Sequence, residues 1–239
     1  MTVPYLPDQV SRIEAGESFF FLCHKDVSCF TECCRELELA LTPYDVLRLR
    51  WATGLTSDEL HQRYIIEENH PARCFPEFYL SMVDDGRASC VFVTPHGCSV
   101  YQNRPGACRT YPLGRGVTRH GGTLTEQFIL LREPHCRGFD EKCLQTVQSF
   151  TVSQGLEPYN RFNDMLTGIT QHERIGADLR LSAEQYRLYK LALFNLDSFR
   201  RLILEDQLEY PLEVPDRIVQ DDELLLGFGM RFVKALLLT

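Results

Sequence analysis

The chain has 239 residues, 44% apolar and 24% charged, a composition that suits a folded domain and is too rich in apolar and aromatic side chains for a disordered polymer. Its net charge of −8, with 21 arginines scattered among 25 basic residues, speaks against a general nucleic-acid binder, which needs a concentrated basic face. The longest apolar runs, Phe19 to Cys23 and Leu236 to Leu238, fall far short of the roughly 20 residues that span a bilayer, and the opening Met1 to Asp8 carries no basic region or long apolar stretch, so neither a membrane span nor a secretory signal is expected.

Along the chain, Thr42-Pro43-Tyr44-Asp45 reads as a helix start, with Thr as N-cap, Pro at the first helical position and an acid at the third; Gly54 is a natural stop. Thr56 to Glu59 starts a second helix running toward Ile65 and Ile66. The stretch Glu77 to Val83, the polar turn Asp84 to Arg87, and Ala88 to Val93 together read as a β-hairpin. Ser99 to Tyr101 and Leu124 to Leu131 are further strand candidates. Beyond Gly155 the pattern is helical. Ser182 to Gln185 forms a capping box, followed at helical spacing by Tyr186, Tyr189, Leu193, Leu196, Phe199 and Ile203. Asp221, Asp222 and Glu223 place acids at the start of a last helix bearing Leu224, Leu225, Phe228, Phe232 and Leu236. Its apolar face is expected to close the core, with docking on a protein partner as the alternative.

Ten cysteines are the unusual feature, and none lies in the last 96 residues. This divides the sequence into a cysteine-bearing part, 1–145, and a helical extension, 146–239. Disulfides belong to small secreted proteins; a chain of this size with this opening is expected in the cytoplasm, where metal ligation or thiol chemistry is the use for so many thiols. Between positions 23 and 34 the segment is dense in cysteine, and its short spacings close small loops at little entropic cost. The adjacent Cys33 and Cys34 are expected to diverge, which suits two ions, or one ion and a packing position, better than one tetrahedral ion. A second group runs from Cys90 through Gly97, where the backbone can turn sharply, to Cys98 and Cys108. Arg104 and Arg109 bracket Cys108. They either offset the charge of clustered thiolates, or cap a helix end and make a surface ion pair.

The ordered set Cys-x5-Cys-x3-Cys-Cys, Leu41 to Leu49, and Cys90-x7-Cys98-x-x-Tyr101-x-x-Arg104-Pro105-x-x-Cys108-Arg109-x-Tyr111-Pro112 resembles the YkgJ-like cysteine-cluster family, a zinc- or iron-chelating domain with a CxxCxxCC signature. The likeness covers residues 20–140, and Cys136-Arg137-Gly138-Phe139 matches a later Cys-x-Gly element. The tail, with Gln154-Gly155-Leu156 and two long helices, is similar to the extension of one bacterial branch. The resemblance implies Cys23, Cys29, Cys33, Cys34, Cys90, Cys98, Cys108 and Cys136 as ligands, in two four-ligand sites or one polynuclear centre of zinc or iron–sulfur type. Spacings in the first group are wider than the signature, which leaves open which cysteines share an ion. Cys74 and Cys143 match no family position and read as packing thiols. His24, His96 and His135 lie within two residues of a ligand candidate and read as surface or outer-sphere groups.

The expected fold is α+β, mainly helical, with a small antiparallel sheet or hairpin around the cysteine cluster and a helical C-terminal extension. No Gly-rich phosphate loop, nucleophile elbow or His-Glu-x-x-His motif is present, and no catalytic residue is assigned. The expected function is metal binding with a structural, electron-transfer or metal- or cluster-handling role. Two alternatives stand beside it. A related cysteine cluster occurs in flagellin lysine methylases, which implies a protein-modifying enzyme; low-pKa thiols beside Lys25, Arg35 and Arg109 would make a redox switch.

Overall fold

The computed structural model describes residues 9–176, 179–208, 214–215 and 217–238. The chain begins with β1 (Val10–Ile13), β2 (Ser18–Phe20), α1 (Pro43–Thr53), α2 (Ser57–Tyr64), β3 (Ile65–Glu68) and β4 (Glu77–Leu80). Four two-residue strands follow, β5 (Met82–Val83), β6 (Ser89–Cys90), β7 (Val93–Thr94) and β8 (Gly97–Cys98), then α3 (Gly106–Thr110), β9 (Leu113–His120), β10 (Thr123–Leu131) and β11 (Leu144–Thr146). Helices complete it: α4 (Val147–Ser153), α5 (Glu157–Thr170), α6 (Ala183–Phe194), α7 (Leu196–Leu204) and α8 (Asp222–Leu238). The fold is α+β, helices with antiparallel sheets of two or three strands. Among the described residues no helix is long and apolar enough to cross a membrane.

Contacts group the chain into two compact units, residues 1–38 with 82–160, and 39–81 with 161–239. They do not follow the cysteine boundary near 145. The reason is visible in the core of the first unit, where Val147 and Phe150 of α4 pack with Ile13, Phe19, Phe21, Leu113 and Leu130. That unit is built on the antiparallel order β1-β10-β9, with Ile13 opposite Phe128 and Leu130 opposite Leu113. Gly121 and Gly122, both at positive φ, make the two-residue turn between β9 and β10. Strands β2 and β11 form a separate ribbon, placing Phe19 opposite Gln145. Nine of the ten cysteines belong to this unit; Cys74 belongs to the other.

In the second unit the helix starts follow the sequence. Thr42 and Thr56 each form a capping box, with Asp45 and Glu59, and Gly54 ends α1 in the left-handed region. Ser182 caps α6 through Gln185 in the same way. The periodic run from Tyr186 to Ile203, however, is two helices. Asn195 leaves helical geometry, accepts from the Ser198 amide at 3.1 Å and donates to Asp58 at 2.6 Å, so its side chain replaces the backbone bonds that the break removes. The expected hairpin over 77–93 is also revised. Its first arm, β4, pairs with β3 and takes further bonds from Leu41 and to Leu39, which leaves only the short β5–β6 pair around the polar turn. Ser99 to Tyr101 is not a strand; it leads into a 3-10 turn at Tyr101–Asn103. Leu124 to Leu131 does lie in a strand, β10.

Helix α8 buries Leu225, Leu226, Phe228, Met230, Phe232 and Val233, so its apolar face closes the core of this unit, as expected. Close approach to α6 requires a glycine: a Cβ on Gly229 would stand 2.2 Å from the Ala192 carbonyl oxygen. At the opposite end of α8, Arg50 joins Asp197 at 2.7 Å and Asp222 at 2.8 Å, Arg200 binds the same two carboxylates, and Trp51 Nε1 donates to Asp222 at 2.6 Å. Burial alone would raise both carboxyls. The Ser57 amide and Arg50 at Asp197, and Trp51, Arg200 and Arg50 at Asp222, outweigh it and hold both below the ordinary carboxylate range.

Two outcomes test this packing. Gly229→Ala must push α6 and α8 apart and is expected to destabilise by roughly 2–3 kcal/mol. Gly227→Ala, whose Cβ meets nothing nearer than Arg231 at 3.9 Å, is expected to be neutral or to gain up to about 1 kcal/mol of helix propensity; urea unfolding of both compares them. The depressed carboxyls contribute stability that is complete above about pH 5 and lost progressively as pH falls through their unfolded and then their folded values. Asp222→Asn is therefore expected to cost about 3 kcal/mol at pH 7 and to flatten the stability profile between pH 5 and pH 3, read from the same unfolding curves.

Candidate metal centre

The site is assembled from four stretches of the first unit. The chain enters it anchored by main-chain bonds from Phe21 to Cys143 and from Leu22 to Gly138, both 3.0 Å. It then folds through consecutive tight turns, Val27 to His24, Phe30 to Val27, Glu32 to Cys29 and Cys34 to Thr31, with Thr31 in the left-handed region. These turns, with the short 3-10 turn Glu32–Cys34 at their end, bring residues 23–34 back on themselves without an α-helix or strand. The loop is fastened to the second stretch by the Glu36 amide on the Ala88 carbonyl at 3.0 Å, by a bridge between Arg35 and Ser89, and by Arg87 on Glu32 at 2.7 Å. Cys90 therefore follows directly on the segment that carries Cys33 and Cys34.

Cys98 lies on the β7–β8 hairpin, opposite Val93. Gly97 has φ +113°, and a Cβ there would stand 3.0 Å from the Phe30 ring, so glycine serves both the sharp turn and the approach of the first loop. The fourth stretch meets the first at sulfur: the Arg137 amide donates to Cys29 Sγ at 3.1 Å, one residue beyond Cys136.

All ten cysteines are free thiols. Cys23 and Cys33 are exposed as whole residues, yet protein crowds their sulfurs. Burial, then Cys33, Cys29 and Cys136, pushes the Cys23 thiol up to about 11, while Arg104 pulls it back. Cys33 is driven up further, first by a hydrogen bond with Cys34, then by burial and by the charge of Cys34. The adjacent pair ends the 3-10 turn Glu32–Cys34, from which Arg35 leaves extended. Burial leads the upward shift at Cys90, with Cys98 and Cys33 adding to it, and at Cys98, with Cys33 adding and Arg104 opposing. Cys136 is raised by burial, with Cys29 adding and Tyr111 opposing. Cys23, Cys29, Cys33 and Cys136 share one neighbourhood, and Cys33, Cys90 and Cys98 another. Cys34 touches both through Cys33, and Cys108 acts on Arg104.

The two arginines do something the sequence left open, and neither makes a surface ion pair. Arg109 is 8% exposed and donates to the carbonyls of Gln102, Arg104 at 3.2 Å and Gln154 at 2.7 Å, locking the turn before α3 to the end of α4. Arg104, also 8% exposed, donates to the Tyr101 carbonyl at 2.8 Å and to Gln154 Oε1 at 2.6 Å, with its guanidinium 3.9 Å from the Tyr101 ring centroid. Tyr159 supports both, donating to the Arg104 carbonyl at 3.0 Å beneath the Arg109 guanidinium.

Other candidates fall outside. His24 faces Asp26 and Glu141 at 3.7 and 3.6 Å, His135 faces Glu133 at 3.8 Å, and His96 is exposed. Cys74 lies in the second unit, where burial raises it and Arg180 opposes, and Cys143 is engaged through its carbonyl to Phe21. Three residues went unassigned in the sequence: Gln154, Glu133 and Tyr111. Tyr111 Oη is buried without a hydrogen-bond partner, and burial, then Cys136 and Glu133, drives its phenol far up. Its place in the Cys-Arg-x-Tyr-Pro run was the signal that could have found it.

Among the described residues, no three His, Cys, Asp or Glu side chains converge closely enough to hold an ion. The donor types are nonetheless those of a thiolate-ligated metal: thiols come from four stretches of one unit, none is in a disulfide, and the Arg137 amide already donates to the sulfur of Cys29.

Comparison with known proteins accords with this chemistry. Neither the curated proteins nor the solved structures contain a match to the chain. The family model "CxxCxxCC: Putative zinc- or iron-chelating domain" matches residues 22–143, just over half of the sequence and the whole span from Cys23 to Cys143. The chain belongs to the CxxCxxCC family of zinc- or iron-chelating domains.

Proposed function

We propose that the chain is a metal-binding protein whose first unit holds zinc or iron on Cys23, Cys29, Cys33, Cys34, Cys90, Cys98, Cys108 and Cys136, as two four-ligand sites or one polynuclear centre. The observation that carries this reading is that the family model of zinc- or iron-chelating domains matches residues 22–143, the span that holds all eight of these thiols, and that none of them is tied up in a disulfide. Thiolate ligation supplies either a closed structural zinc centre or an iron centre able to pass electrons or deliver a cluster. Cys29 Sγ is oriented by the Arg137 amide. Free thiols in this number suit a reducing, cytoplasmic compartment. The extension beyond 145, which holds no candidate ligand, is the part of the sequence left for partner recognition.

The same geometry weighs against a redox switch. Reactive thiols need depressed pKa values, and Cys23, Cys33, Cys90, Cys98 and Cys136 are all raised, chiefly by burial or by one another. Two of the basic neighbours that would have lowered them are committed elsewhere, Arg35 to Ser89 and Glu32 and Arg109 to carbonyls.

Elemental analysis of anaerobically purified protein, with reconstitution by zinc or ferrous iron, tests the reading. At least one ion per chain is expected in wild type and in Cys74→Ser, with more than half of the metal lost in Cys33→Ser. A wild type that stays metal-free after both reconstitutions would end it.

A further inference from the structure

An open groove of about 320 Å³ runs between helices α5 and α8 of the second unit. Its apolar lining comes from Phe162 and Met165 on α5, Leu224 on α8, and Ile218 in the 3-10 turn before α8. That volume lies at the lower end of the range for cavities that take small molecules. At Gly227 the floor is bare backbone: a Cβ there would meet nothing nearer than Arg231 Nη1 at 3.9 Å, so the middle of the groove stays open. All eight candidate metal ligands belong to the other unit, so nothing in this groove depends on the metal-centre reading.

Four charged side chains line the groove, and three of them are engaged. Glu223 accepts from the Tyr44 hydroxyl at 2.6 Å and from Arg161 at 3.1 Å, and Asp221 Oδ1 caps the Leu224 amide at 2.9 Å. Arg231 is the exception. Among the described residues it meets no carboxylate, and its guanidinium rests near the Phe228 ring, 5.9 Å from the centroid. The charge that the groove lacks is therefore an anion at the Arg231 end, and a guanidinium fork suits a carboxylate. From Arg231 back to Leu224 is seven residues of helix, about 10 Å, which is room for a medium alkyl chain. The Phe162 ring is already occupied, stacked on Tyr44 at 4.6 Å and approached by the Arg161 guanidinium at 5.0 Å, so a flexible chain fits this floor better than another flat ring. Leu224, 55% exposed at the far end, is the apolar surface that such a chain would cover.

We propose that the α5–α8 groove binds a medium-chain fatty acid, with the carboxylate on Arg231 and the alkyl chain lying over Gly227 toward Leu224. The test is calorimetric titration of the whole chain with octanoate and with octan-1-ol, the neutral molecule of equal chain length, in wild type, Arg231→Gln and Gly227→Leu. Wild type is expected to bind one octanoate at sub-millimolar concentration, and octan-1-ol roughly fivefold or more weakly. Arg231→Gln removes only the charge, so it is expected to lose roughly fivefold or more in octanoate affinity and nothing in octan-1-ol affinity. Gly227→Leu fills the floor and is expected to lose roughly tenfold or more for both molecules. Arg231 is exposed, so Arg231→Gln keeps the fold and decides the matter should Gly227→Leu not fold. A wild type that binds no octanoate at millimolar concentration overturns the proposal. So does equal octanoate affinity in wild type and Arg231→Gln, a loss in Arg231→Gln that is the same for octanoate and octan-1-ol, or undiminished binding by a folded Gly227→Leu.

Discussion

Two guanidiniums buried side by side without a carboxylate set the terms for the cysteine-bearing unit. Arg109 draws together three carbonyls from positions 102, 104 and 154, which ties the turn before α3 to the end of α4. Tyr159 supports the same fastening, donating to the Arg104 carbonyl beneath the Arg109 guanidinium. Burial and the neighbouring thiols discourage Cys23 and Cys98 from ionising, which disfavours reactive-thiol chemistry there.

How much of the fold could be read in advance follows from where its information lies. Caps are local, and Thr42, Thr56 and Ser182 were legible because each helix start needs only a side-chain oxygen three residues before its partner. The break at Asn195 was not, since the helical period runs straight through it and the compensating bond goes to Asp58, far away in sequence. Strands suffered most. β1, β2 and β11 are three or four residues long and acquire their character from partners more than 100 residues distant, which no local alternation reveals. The same long-range pairing explains the false hairpin: Glu77 to Leu80 alternates correctly for a strand, but its partner is β3.

The candidate centre was legible in identity and illegible in arrangement. Spacing alone marked two cysteine groups, and the motif around Cys98 and Cys108 named the arginines beside them. It gave no means of dividing the roles of Arg104 and Arg109, which have the same chemistry and differ in what their N–H groups meet. Nor could it show that Cys29 receives the Arg137 amide, or that Tyr111 stands unpartnered beside Cys136, because both relations cross the core of the unit. His24 and His135, read from the sequence as surface or outer-sphere groups, have carboxylates as their neighbours.

The rest of the molecule supplies the control for this electrostatic argument. Where other arginines are substantially buried, a carboxylate accompanies them. Arg50 and Arg200 share Asp197 and Asp222 in the second unit, and Arg115 on β9 reaches Glu126 on β10 at 2.6 Å. The chain is rich in acid, with 33 Asp and Glu against 25 Lys and Arg, so carboxylates were not scarce. Among the described residues Arg104 and Arg109 are held instead by the carbonyl oxygens of Tyr101, Gln102, Arg104 and Gln154 and by Gln154 Oε1, neutral dipoles that fasten the turn before α3 to the end of α4 and leave two buried cations without a counter-charge.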